Sequence, residues 1–189
     1  CCILMSVIGS NVLAGASGSA VAGYEIERSL RFNSADSAYL NKTPSSVGNR
    51  KTWTWSGWVK RCSTGSYQAF FSAYQDADDF HHFRFRNDEK FETRLQVGGS
   101  DKLQLITDQV FRDFSAWYHV VFVYDSTQST ASNRAKLYIN GSQITDFSTE
   151  TYPSQNDDSY VSNTTAHYIG QRGDSNLYHN GYLADVHFI

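Results

Sequence analysis

The chain has 189 residues, 40% of them hydrophobic and 19% charged, with 2 Pro; at ~150 residues per domain this supports one sizeable core and excludes a disordered polymer. The 16 Lys and Arg against 19 Asp and Glu leave a net charge of −3, which excludes the basic excess of a nucleic-acid binder. Aromatics make 15%, as 12 Tyr, 12 Phe and 4 Trp, a load suited to pleated surfaces where rings pack.

Residues 1–23 are apolar or small, with no charge before Glu25 and no basic residue before Arg28. A signal peptide wants Lys or Arg ahead of its apolar run. A membrane helix needs ~20 mostly apolar residues, and Ser6, Gly9, Ser10, Asn11, Gly15, Ser17, Gly18 and Ser19 interrupt this stretch. It reads as an extended N-terminal arm, not a membrane span, ahead of a domain at 24–189. Met5 is the only methionine, so residues 1–4 read as preceding a natural start. Cys1, Cys2 and Cys62 are an odd set that closes no disulfide framework and reads as free thiols.

From residue 24 onward, period two dominates. Trp53, Trp55, Gly57 and Val59 alternate with Thr54, Ser56, Trp58 and Lys60. Phe83 and Phe85 alternate with His82, Arg84 and Arg86. Phe91, Thr93, Leu95 and Val97 alternate with Glu92, Arg94 and Gln96, and Leu103 and Leu105 with Lys102 and Gln104. Val110, Phe114 and Trp117 have helical spacing and suggest one turn of helix. Trp117 to Tyr124 is apolar on both faces except at His119 and reads as a strand covered on both sides. Asn140-Gly141 between apolar runs predicts a hairpin with positive φ at both residues, with Ile139 facing inward. Tyr182, Ala184, Val186 and Phe188 form a last strand. The chain stops in that strand at Phe188-Ile189, so either more chain follows or a partner covers it. Polar loops lie at 41–51, 75–79, 125–134, 148–165 and 171–181. Strands at this spacing predict an all-β fold, a two-sheet antiparallel β-sandwich or jelly roll, with Trp53, Trp55, Trp117, Phe122 and Leu137 in the core.

Catalysis finds little support. Glu25 and Glu27 share a strand face, but position 29 is Ser, not a third acid. Asp185 stands alone on its strand, with His187 two residues on. No G-x-S-x-G is present. A non-enzymatic protein is the expectation. Asp76, Asp78 and Asp79 form an acidic loop that could ligate Ca²⁺ or simply serve a turn; the adjacent His81 and His82 point to opposite strand faces and cannot chelate together. Tyr152, Tyr160 and Tyr178, with Asp157, Asp158 and Asp174, are the candidate ligand contacts. A sugar wants an aromatic platform with planar polar groups; the same tyrosines also suit a protein interface. Arg172-Gly173-Asp174 is too short a motif to weigh, and the sequons at Asn41, Asn140 and Asn163 matter only in a eukaryotic secretory pathway.

The segment Thr52-Trp53-Thr54-Trp55-Ser56-Gly57-Trp58-Val59-Lys60 resembles an early strand of laminin G-like domains of the concanavalin A-like lectin/glucanase superfamily. So do Trp117-Tyr118-His119-Val120-Val121-Phe122-Val123-Tyr124-Asp125, Lys136-Leu137-Tyr138-Ile139-Asn140-Gly141, His167-Tyr168-Ile169-Gly170 and the run from Gly181 to Phe188, in family order. The family's glycosidase branch carries Glu-x-Asp-x-x-Glu, which this chain lacks. A narrower likeness, at residues 8–18, 29–32, 50–54 and 181–189, is to structural proteins of marine bacteriophages. That resemblance implies a lectin-like module on a virion surface or tail, or alternatively a secreted protein, truncated at its C-terminus. It would bind host surface glycans and touch other virion proteins through the N-terminal arm, as a homo-oligomer. Its rivals are a purely architectural component and a polysaccharide depolymerase acting through Glu25 or Glu27.

Overall fold

A computed structural model describes residues 26–174 and 176–189. The N-terminal arm, Tyr24, Glu25, Cys1 and Cys2 lie outside them; Cys62 is a free thiol. In chain order the first strands are β1 (Leu30–Phe32), β2 (Leu40–Lys42), β3 (Thr52–Arg61), β4 (Gln68–Tyr74), β5 (Phe80–Phe85), β6 (Lys90–Val97) and β7 (Ser100–Val110). Then come β8 (Tyr118–Asp125), β9 (Ala135–Ile139), β10 (Ser142–Ile144), β11 (Phe147–Thr151), β12 (Ala166–Ile169) and β13 (Gly181–Phe188). They pair antiparallel into a six-stranded sheet, β1-β13-β3-β8-β9-β10, and a seven-stranded sheet, β11-β7-β6-β5-β4-β12-β2. The protein is an all-β sandwich. No described helix is long and apolar enough to cross a membrane.

The pleat explains the layers. Along β3, burial alternates strictly, with Trp53, Trp55 and Val59 inside and Thr54, Ser56, Trp58 and Lys60 outside. Facing them from β5 come His81, Phe83 and Phe85. Trp53 stacks on Tyr124 with ring centroids 5.4 Å apart, and Phe83 lies 5.1 Å from Phe122. Phe122 and Leu137 are fully buried, as expected, and Ile139 faces inward. Asn140 and Gly141 take φ of 51° and 81°, the left-handed pair that a tight hairpin requires. The core histidine His81 is satisfied: Nδ1 meets Ser159 Oγ at 2.9 Å and Nε2 meets Thr93 Oγ1 at 3.1 Å. Burial lowers its pKa to about 3, so it stays neutral. His82 points to the other face and stacks on Phe80.

Three expectations are corrected. Trp117 is only half-buried; it precedes β8 and turns outward. The strand it leads into is covered on one face only, because His119, Val121 and Val123 face the outside of the sheet. No helical turn forms at 110–117: β7 runs to Val110, the Phe111 N–H continues the pairing to Glu89 O at 2.8 Å, and Asp113 Oδ1 accepts from Ser115 N and Oγ in a turn of its own. Two of the expected loops also contain short edge strands, β2 and β11.

Candidate functional site

The β4–β5 turn and the β11–β12 connection of the seven-stranded sheet meet at one rim. The long connection from β11 to β12 is clamped there by core groups. The Tyr124 hydroxyl donates to Asp157 O at 3.0 Å, the Ser159 hydroxyl meets His81, and Val161 is fully buried. The 75–79 turn is tied down beside it. Asp76 Oδ1 accepts from Asp78 N at 2.9 Å, and Asp79 Oδ1 accepts from Gly98 N at 2.7 Å. The Tyr160 hydroxyl also donates to Asp79. Those two donors, the Gly98 N–H first, hold the Asp79 carboxyl below its usual range. Burial, then the Asp79 hydrogen bond, pushes Tyr160 up to about 12.

The acidic loop serves its own turns. Asp76 and Asp79 each give one carboxylate oxygen to a backbone N–H, and among the described residues no three His, Cys, Asp or Glu side chains gather as metal ligands. Asp157 Oδ2 accepts from Ser154 N at 2.9 Å, and Asp158 pairs with Arg50 at 3.5 Å. Arg50 in turn lies over the Tyr160 ring, which is 8% exposed and so offers little face to a ligand. Asp174 pairs with Arg172. Burial opposes ionisation of Asp174, but the Arg172 hydrogen bond and charge outweigh it and keep its pKa low.

Tyr152 and Tyr178 do not converge. Tyr152 follows β11 and donates to Glu150, whereas Tyr178 bridges to Ala69 on β4. These strands lie four places apart, about 19 Å at about 4.8 Å per strand.

The structure instead assembles an aromatic cleft that the sequence reading missed. Ala166 of β12 sits opposite Tyr74 of β4, and Tyr168 opposite Ser72. Tyr74 and Tyr168 thus flank one another on the outer face of the sheet. Gly173 lies against both rings: a Cβ there would come 2.7 Å from Tyr74 Cβ and 2.8 Å from Tyr168 Cε2. Gln75, Asn163, Thr164 and Thr165 complete a cavity of about 470 Å³. Tyr39, an exposed residue, extends the platform, its ring 5.9 Å from Tyr168 and 6.4 Å from Tyr178. Thr165 donates to Tyr74 O at 2.7 Å and fixes the edge of the cleft. Burial, then the nearby Asp174 charge, raises the Tyr74 pKa, so its hydroxyl stays a donor. Ring faces beside amides and hydroxyls can stack a sugar and hydrogen-bond its hydroxyls.

Residues 32–189 match a laminin G family described as the concanavalin A-like lectin/glucanases superfamily. No curated protein matches at the sequence level. Among solved structures, the chain is similar to laminin G domains LG4-5 of the mouse laminin alpha1 chain, with a TM-score of 0.62, 12% identity, and coverage of 86% of this chain and 42% of that one. It is also similar to a heptameric SAP-like pentraxin from Limulus polyphemus, with a TM-score of 0.56, 18% identity, and coverage of 85% and 74%. A third similarity is to the Caenorhabditis elegans galectin LEC-6, with a TM-score of 0.50, 15% identity, and coverage of 88% and 99%. These identities speak to the fold alone. The two stacked antiparallel sheets, with strands in this order and a family match across most of the chain, place the protein in the concanavalin A-like lectin/glucanases superfamily.

Proposed function

We propose that the chain is a non-enzymatic lectin-like module that binds a glycan in the cleft of Tyr74 and Tyr168. The observation that carries this reading is the pairing of two half-exposed tyrosine rings around Gly173, with Gln75, Asn163, Thr164 and Thr165 beside them. The sandwich supplies rigidity, and loops at its rim supply the contacts. The finer reading is a module on a phage particle, where the arm at 1–23 contacts neighbouring virion proteins and many copies turn weak binding into adhesion. What supports it is the likeness of residues 8–18, 29–32, 50–54 and 181–189 to phage structural proteins.

A glycan array probed with the full chain tests the reading. Binding that Tyr168→Ala and Tyr74→Ala weaken by about tenfold or more, roughly 1.4 kcal/mol, supports it. An array with no signal, together with particles that fall apart when the protein is deleted, replaces it with the architectural reading. One observation favours that second reading: Asp79, Asp157, Asp158, Asp174 and Tyr160 are all engaged inside the protein. Hydrolysis needs two carboxylates across the scissile bond. Glu25 lies outside the described residues, and Glu27 is the only acid among the described residues that line the cleft of Trp58 and Trp117, although it shares an adjoining pocket with Asp185. Release of sugar from host polysaccharide, abolished by Glu27→Gln, would instead make the protein a depolymerase.

A further inference from the structure

Of the four tryptophans, Trp53 and Trp55 are core and the other two are not. Trp58 and Trp117 are half-buried on the outer face of the six-stranded sheet, on the opposite side of the sandwich from the tyrosine cleft. Register explains the grouping. Tyr182 lies opposite Lys60, Ala184 opposite Trp58, and Trp58 opposite His119. Residues two apart on a strand share a face, so Trp58 and Lys60, Tyr182 and Ala184 all look outward. The Trp58 ring is 4.9 Å from His119, and the Trp117 ring is 6.3 Å from Tyr182.

Ala184 is the small residue in this aromatic row, and its lack of bulk leaves a floor beside Trp58. Residues Ile26 to Ser29 form the facing wall. The result is a cleft of about 440 Å³ lined by both tryptophans, Ala184, Glu27, Arg28 and Ser29, within the ~300–1,000 Å³ typical of small-molecule sites. The other outward positions of β3 are Thr52, Thr54, Ser56 and Lys60, so a bare indole is the exception on this strand, and sheet stability does not require it.

We propose that this cleft is a second saccharide site, taking one pyranose ring of a neutral glycan. The apolar C–H face of the sugar meets the negative face of an indole, and its hydroxyls meet Glu27 and Ser29 in the cleft wall. Charge argues against the other ligand that indoles favour, a quaternary ammonium: Arg28 lines the cleft, Arg31 lies over the Tyr182 ring 5.3 Å from its centroid, and Lys60 shares the face, against Glu27 alone among the lining acids. Size argues against a second copy of the chain, because a stable protein interface covers ~800 Å² per partner and a concave pocket of this volume fits one ring. The proposal stands apart from the tyrosine cleft and does not rest on it; with both sites filled, one module would bridge two glycan chains.

Tryptophan emission of the full chain, titrated with cellohexaose, laminarihexaose, maltohexaose and N-acetylchitohexaose, tests it. Trp53 and Trp55 give a constant background. At least one saccharide should change the emission saturably. Trp58→Ala and Ala184→Leu should each weaken that binding by about tenfold or more, Trp58→Phe by no more than about threefold, and Tyr168→Ala not at all. Ala184→Leu keeps all four indoles and fills only the floor, so it separates a lost site from a lost reporter. In the emission experiment, three results would overturn the proposal: no saccharide alters emission; Ala184→Leu binds like the unsubstituted chain; or the free protein resists acrylamide quenching at Trp58 and Trp117, which would mean that the cleft is closed to solutes. Array binding lost only in Tyr168→Ala would overturn this site and leave the tyrosine cleft standing. Array binding lost only in Ala184→Leu would do the reverse.

Discussion

The Tyr160 hydroxyl donates to the Asp79 carboxylate and so joins the long β11–β12 connection to the β4–β5 turn. The pH dependence of this link follows from the two shifts. Asp79 has a depressed folded pKa, so its contribution is complete above the unfolded carboxyl value and is lost as pH falls through and below it. Tyr160 has a raised folded pKa, so its contribution is complete below the unfolded phenol value and is lost as pH climbs through about 12. The link should therefore hold fully between about pH 4 and about pH 10. Melting curves of Tyr160→Phe and the unsubstituted chain should differ by about 2–4 °C in that window. The gap should close at either extreme. A gap that stays constant from acid to alkali would show that the hydroxyl does not bond Asp79.

Two tryptophans, one in each of two strand-like motifs, should behave in opposite ways. Trp53→Ala removes a buried ring stacked on Tyr124 and should cost about 3–5 kcal/mol in denaturant unfolding. Trp117→Ala removes a half-exposed ring that touches Tyr182 and should cost about 1 kcal/mol or less. Equal losses would place Trp117 in the core after all.

The difference between those residues marks how far local pattern reaches. Alternation places Trp53, Trp55, Phe122 and Leu137 correctly because a strand face is set by its own residues. Trp117 escapes because it stands one residue before its strand, where the pleat no longer dictates direction. The tyrosine cleft escapes for a different reason. Tyr74 and Tyr168 become neighbours only when β12 pairs with β4, 94 positions away, and nothing within either strand encodes that pairing. The acidic residues named from the sequence were visible as loop chemistry, but whether a loop acid faces a ligand or its own backbone depends on the turn it closes. Asp76, Asp79 and Asp157 close theirs.

Gly173 should be intolerant of any side chain, and the fault should show in binding. Its φ of 102° is a conformation that L residues rarely adopt, and an added methyl would meet Tyr74 and Tyr168 at the distances already given. Gly173→Ala should cost about 1–3 kcal/mol and should splay the two rings. Glycan-array signal assigned to the tyrosine cleft should fall at least as far as in Tyr168→Ala. A Gly173→Ala protein with unaltered array binding would disconnect the glycine from the cleft.

At the far end of the sandwich, Arg61 is fully buried and donates to both Glu89 and Phe111 O, with its guanidinium 4.7 Å from the Phe85 ring centroid. Glu89 holds a positive φ of 70° in the β5–β6 turn and accepts from Gly65 N at 2.8 Å. The pair thus ties three segments together while one of its members sits in strained backbone. Removing one charge leaves the other buried and uncompensated, which typically costs about 3–5 kcal/mol. Arg61→Met should therefore lower the unfolding free energy by that order. The double change Arg61→Met with Glu89→Gly removes the orphaned carboxylate and relieves the backbone at once, so it should be more stable than Arg61→Met alone. Chemical denaturation of the two variants beside the unsubstituted chain decides the matter. If the double variant is less stable than the single, the carboxylate works independently of Arg61, through Gly65 and the turn.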